Sequence, residues 1–335
     1  MTATRAAVAL LPLVTLLPAG CSEGAEPRVS AEPSRLELVR EWLRPTLSPE
    51  TDWLTHPQEM AFDPATGHLF VQDRDWKTVV EIESDGSLVR TYGRLGEGPG
   101  EVGHASGIAI DDERLYVLDN GNLKILVFRR GDGSVAHEFR IDRFYRDLVI
   151  LQGPRIMVVP GEEHAVEFLD LEGRVVGGLG GPDVLPGSCT FCALAALPDG
   201  RVVVLDGNRP DMWVFTERDT RLVDLYGMPL LVRWREEVEA RMRRIRRMGG
   251  GRTWMWDQLH VAGPRHVTVS AGPPGITTTG NELWRIDVDT GNTERYDYGE
   301  PRIGINLAID WPRVFTVNSE TAAILEYRVP EEGGR

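Results

Sequence analysis

The sequence is short of positive charge, of cysteine and of long apolar runs, and each shortage closes off a class of function. Its 37 Lys and Arg are outnumbered by 51 Asp and Glu, for a formal net charge of −14. Nucleic acids and anionic membrane surfaces are held by basic footprints, so neither is a partner for the body of this protein, whose acidity serves solubility. Cysteine occurs three times, as Cys21, Cys189 and Cys192. One C-x-x-C pair supplies half of a structural zinc site, and no His pair at zinc-finger spacing completes it. Haem attachment needs His after the second cysteine, where Ala193 stands. Motifs of the G-x-S-x-G, H-E-x-x-H and EF-hand types are missing, so no catalytic residue, metal or cofactor is assigned by motif. At 41% hydrophobic and 26% charged, however, the composition suits a folded globular body.

What the chain has instead is a repeat. A short turn is followed by a basic residue and an apolar run at residues 68, 114, 155, 201, 265 and 313, giving spacings of 46, 41, 46, 64 and 48 residues. Periods of roughly 40 to 50 residues mark stacked supersecondary units, and all-strand units of that length are propeller blades. Each unit reads as four strands, A to D, with the basic residue opening strand B and turns such as S-D-G-S, G-D-G-S and D-T-G-N joining C to D. The sixth unit lacks a fourth strand. Leu36 to Leu43 is the candidate to supply it and close the ring, removing two exposed sheet edges; a short helix is the competing reading of that segment. The expected fold is therefore all-β: a six-bladed propeller with four antiparallel strands per blade.

The link Tyr92-Gly-Arg-Leu-Gly-Glu-Gly-Pro-Gly-Glu-Val102 resembles the blade-to-blade connection of NHL-type propellers. At the level of blade pattern, residues 56–330 resemble NHL-type six-bladed propellers and the six-bladed propeller lipoproteins of bacteria. A phosphate-cradling role for these glycines fails because a strand pattern, not a helix start, follows Gly100.

The ends of the chain address location. Arg5 and the apolar stretch from Ala6 to Leu17 have the proportions of a secretory signal and are too short to span a bilayer. The following L-P-A-G-C-S resembles a bacterial lipobox, which implies that residues 1–20 are removed and that Cys21 is lipidated. Pro18 separates Leu17 from its usual place, which leaves open cleavage by an ordinary signal peptidase without a lipid. Residues 21–35 read as a flexible tether, 36–330 as the propeller and 331–335 as a tail. The expectation is an exported monomer hung from the cell envelope, meeting the membrane only through its lipid.

Functional residues are expected where the B-to-C loops and blade-to-blade links share one face. Those loops contribute Asp73, Arg74 and Trp76, then Asp119 and Asn120, then His164, then Asn208 and Arg209, and finally Asn318. Three long links flank blades 4 and 5: the cysteine loop from Gly181 to Cys192, the insertion from Gly227 to Asp257, helical at about 230–249, and the loop from Ala271 to Asn281. In the second of these Leu231, Trp234, Val238, Met242, Ile245 and Met248 recur at steps of three and four, ahead of three glycines, as in an amphipathic helix. Trp234 would then roof the ligand face, or the helix would simply pack on the ring. In an oxidising compartment Cys189 and Cys192 form a small disulfide or a reduced structural pair. The leading reading is a non-enzymatic binder of a protein, peptide or carbohydrate. The alternative is a metal-dependent hydrolase or lyase: resemblance to lactonase propellers implies calcium at the channel mouth on Asp73, Asp119, Asp206 and Asn318. Against it, a residue that recurs at the same place in several blades is the mark of a turn cap.

Overall fold

Central strands of stacked blades are covered on both faces, so they read as continuous apolar runs rather than alternating ones. This is how the repeat folds. The computed structural model describes residues 28–30, 32–44, 53–151, 155–159, 163–181, 183–185, 192–206, 211–225, 256–271, 279–280, 282–299, 303–318 and 320–331.

Two strands precede the blades, β1 (Ser34–Arg35) and β2 (Glu37–Leu43). Blade 1 is β3 (Pro57–Asp63), β4 (His68–Asp73), β5 (Thr78–Ile82) and β6 (Leu88–Tyr92). Blade 2 is β7 (Ala105–Ile110), β8 (Arg114–Asp119), β9 (Lys124–Arg129) and β10 (Val135–Arg140). Blade 3 is β11 (Asp147–Leu151), β12 (Arg155–Val159), β13 (Val166–Leu169) and β14 (Val175–Leu179). Blade 4 is β15 (Cys192–Ala196), β16 (Val202–Asp206), β17 (Asp211–Phe215) and β18 (Thr220–Asp224). Blade 5 is β19 (Trp256–Val261), β20 (His266–Ala271), β22 (Glu282–Asp287) and β23 (Thr293–Asp297), interrupted by β21 (Thr279–Gly280). Blade 6 is β24 (Ile303–Asp310), β25 (Arg313–Asn318) and β26 (Ile324–Arg328).

The described residues form six sheets, each built on an antiparallel meander of successive strands, to which β1 adds at the edge of blade 5 and β2 and β21 at the two edges of blade 6. The innermost strands touch in turn, β3 to β7, β11, β15, β19, β24 and back to β3, which closes the ring. Six buried clusters lie between the blades rather than within them. Phe70, Val79 and Tyr92 of blade 1, for example, pack on Leu115, Val117, Leu126 and Phe128 of blade 2, and Trp42, Phe315 and Ile324 of blade 6 pack on Met60, Phe62 and Leu69 of blade 1. A single blade therefore has no core of its own. Polar clasps reinforce the seams: Arg130 of blade 2 pairs with the buried Asp63 of blade 1 and lies 4.9 Å from the Phe70 ring. Arg313 of blade 6 sits 4.6 Å over Phe62 of blade 1 while its Nε donates to Glu326 at 2.8 Å.

The missing fourth strand of blade 6 is β2, which pairs antiparallel with β26 from Glu37↔Arg328 to Leu43↔Ile324. It is a strand and not a helix. Trp42 anchors it, buried and donating Nε1–H to Glu326 at 2.7 Å. Gly86, at φ 87° in the C-to-D turn of blade 1, faces the Trp42 carbonyl so closely that a Cβ there would lie 2.4 Å from the oxygen. Pairing also begins ahead of Leu36. β1 runs parallel to β23 of blade 5, Val29 bridges Thr293, and the Thr293 N–H donates to the Arg28 carbonyl at 2.8 Å. The N-terminal segment thus crosses the outer edges of blades 5 and 6. The described residues contain no helix; the expected helix at 230–249 lies outside them, as do residues 1–27.

Candidate functional site

Because A runs down and B runs up, the starts of the A strands, the ends of the B strands and the blade links all meet at one face, here the upper one. The ends of the B strands carry the carboxylates expected in a ligand site, and in blades 1 and 2 these are spent on the backbone. Asp73 accepts N–H groups from Thr55 and His56 in the preceding link and, at 2.8 Å each, from Asp75 and Trp76 in its own loop. Asp119 repeats the pattern with Gly103 and His104 at 2.9 and 2.8 Å, and Gly121 and Asn122 at 3.0 and 3.2 Å. A buried carboxylate with four charge-assisted donors is a hub that locks link to loop. Asn318 does half of this, capping Glu320 and Thr321. Asn120 holds blade 3, its Nδ2 donating to the Tyr145 carbonyl at 2.7 Å.

The other expected residues divide by exposure. Trp76 is 52% exposed on the upper rim, beside the exposed Arg74, whose Nε reaches Asp75 at 3.4 Å. His164 is half-buried under Gly178, with Nδ1 3.4 Å from the Gly180 carbonyl. Cys192 is disulfide-bonded, so it offers no free thiol. Cys21, Cys189, Asn208, Arg209 and Trp234 lie outside the described residues.

The structure brings together a different set, at the mouth of the central channel. This cavity of about 420 Å³ is lined by the A strands of all six blades. Ala109, Ile110, Ile150 and Ile309 line it from the lower ends of their strands, while Glu59, Ser106, Arg146, Asp147 and Gln258 line it near the strand starts. Three of these polar residues sit at β-bulges. Pairing slips between Pro57 and Met60, between Ala105 and Gly107, and between Asp257 and Leu259, and Gln258 takes φ 46°. An extra residue in the strand re-aims side chains, as bulges commonly do beside functional sites.

These side chains also knit the blades. Gln258 donates Nε2–H to the Glu59 carboxylate and accepts the Leu307 N–H on Oε1 at 2.6 Å, joining blades 5, 1 and 6. Asp147 Oδ2 accepts the Leu194 N–H of blade 4 at 2.8 Å. Deeper in the channel His260 has a buried Nε2 with no hydrogen-bond partner, and burial lowers its pKa to about 4. It is therefore neutral at physiological pH, a hydrogen-bonding group rather than a base poised near 7. The mouth offers both signs of charge, amide and hydroxyl groups above an apolar shaft, which suits recognition of a small molecule or an inserted side chain. Among the described residues no group of three or more His, Cys, Asp or Glu is placed to hold a metal ion.

No family model matches this sequence, and no curated protein is similar to it. Solved structures do share its fold. A Bacteroides fragilis protein designated as exported aligns with TM-score 0.61 at 12% identity, over 91% of this chain and 99% of its own. A DUF4221 family member from Bacteroides vulgatus aligns with TM-score 0.58 at 11% identity, over 89% of this chain and 98% of its own. A catalytically inactive virginiamycin B lyase from Staphylococcus aureus, in complex with quinupristin, aligns with TM-score 0.55 at 10% identity, over 88% of this chain and 100% of its own. At such identities the likeness is one of fold.

Proposed function

We propose that this propeller is exported, anchored through a lipid on Cys21, and binds a peptide, protein or carbohydrate group at the upper mouth of its channel without transforming it. One observation carries the binding reading: bulges in three A strands deliver Glu59, Ser106 and Gln258 to a 420 Å³ channel shared with Arg146 and Asp147. The exported Bacteroides fragilis protein of the same fold supports the location. The metal-dependent alternative asks the B-strand carboxylates to converge on one ion, whereas Asp73 and Asp119 each accept four backbone N–H groups in separate blades.

The test is a thermal-shift screen of the full chain against peptide and oligosaccharide panels, repeated on Arg146→Ala. A hit whose shift is lost in the variant supports the site. A hit whose shift survives there, and that crystallography places away from the channel, overturns it. Anchoring has its own test: Cys21→Ala should move the protein from the membrane to the soluble envelope fraction, and unchanged partitioning would refute the lipid.

A further inference from the structure

Cys21 and Arg28 are separated by only six residues, 22–27. Arg28 is already fixed to the ring: its carbonyl accepts the Thr293 N–H at 2.8 Å and its own N–H donates to Asn292 Oδ1 at 2.8 Å. Asn292 belongs to the C-to-D turn of blade 5, between Asp287 and Thr293. By the strand order, all C-to-D and A-to-B turns lie on the lower face, opposite the channel mouth.

From these placements we infer that the lower face of the propeller is turned toward the lipid bilayer and that the channel mouth opens away from it. The inference rests on the proposed lipid at Cys21. Seven Cα-to-Cα steps reach at most about 25 Å even when fully extended. A six-residue B strand is already about 20 Å tall, before any loops. Pressing the upper face to the bilayer would lift the exit point beside Asn292 by that height plus the loops, and would need the connection stretched to its limit. With the lower face toward the bilayer, the same connection has slack.

The lower turns carry both signs of charge: Asp85, Asp112, Glu113 and Asp132 are exposed, and so are Arg155, Arg218 and Arg265, while Glu172 and Asp289 pair with Arg174 and Arg201. The orientation therefore follows from the length of the connection, and the binding face is presented to the surrounding compartment.

The experiment uses full-length lipidated protein reconstituted in vesicles of neutral and anionic phospholipid containing an acceptor-labelled lipid. A donor fluorophore is placed on Thr290→Cys in the lower blade 5 turn or on Trp76→Cys at the upper rim. Energy transfer to the bilayer is expected to be at least twofold greater from position 290 than from 76. A 20-residue Gly/Ser insertion after Pro27 should remove the difference. Equal or reversed transfer in the vesicle-bound native-length protein overturns the inference while leaving the anchor standing. Failure to associate with vesicles, or mass spectrometry showing no lipid on Cys21, overturns the anchor and the inference with it.

Discussion

Lowering the pH from 7 to 5 should destabilise this protein through His260, and substituting that residue should remove the effect. The imidazole has a folded-state pKa of about 4 against an ordinary value of 6.5, because burial without a partner disfavours the cation. The folded state therefore binds fewer protons than the unfolded state between those values. The stability tied to the neutral ring is present above pH 6.5 and is lost as the pH falls toward 4. Linkage over that interval gives a loss of about 2 kcal/mol between pH 7 and 5. His266, also lowered by burial and by Arg285, adds a contribution of the same sign, and carboxylates add theirs lower down. A difference measurement isolates the one residue. Urea denaturation of wild type and His260→Gln at pH 7 and pH 5 should show the variant losing about 2 kcal/mol less across the interval. Parallel pH dependences for the two proteins would refute the argument, because they would mean that the ring is hydrated or partnered within the channel.

The seams and hubs give two further outcomes. Arg130→Ala leaves the Asp63 carboxylate buried without its ion partner and should cost about 3–5 kcal/mol in a denaturant midpoint assay, whereas Arg130→Met, which still covers Phe70, should cost no more. Asp119→Ala orphans four backbone N–H groups at once and should cost more than about 2 kcal/mol, with hydrogen exchange quickening at Gly103, His104, Gly121 and Asn122 before the rest of blade 2.

The fold was legible because its signals are local and repeated. Strand B is buried on both faces, so in blades 1 to 4 it reads as an apolar run after one basic residue, with buried Thr268, Ser270 and Thr316 interrupting it in blades 5 and 6, and the turn residues mark the period. Ring closure could be read by elimination, since a blade of three strands leaves an edge that only Leu36 to Leu43 could fill. The parallel pairing of β1 with blade 5 could not. Ser34 and Arg35 are exposed and carry no apolar pattern, and their place follows from backbone pairing with Tyr296 and Asp297. The recurrent B-strand carboxylates were visible as candidates, and their recurrence already pointed to the capping role that Asp73 and Asp119 perform.

The channel residues were missed for a reason that bears on their role. From the sequence the A strands of blades 1, 2 and 5 begin at Met60, Gly107 and Leu259, where the apolar run starts. The residues immediately before them are Glu59, Ser106 and Gln258. Each stands where an extra residue breaks the two-residue alternation, so a reading that relies on alternation trims it from the strand as part of the link. In the fold the slip does the opposite of ending the strand: pairing resumes at Pro57, Ala105 and Asp257, and the polar side chain lines the channel. Blades 3 and 4 pair regularly from Asp147 and Cys192 and need no such device. Blade 6 also slips, between Ile303 and Leu307. What sets the slips of blades 1, 2 and 5 apart from those in outer strands, at Glu81/Ile82, Phe168/Leu169 and Val135/His137, is their place. Each sits at the start of an A strand and turns a polar side chain to the channel, as a binding mouth built on a repeated scaffold should show.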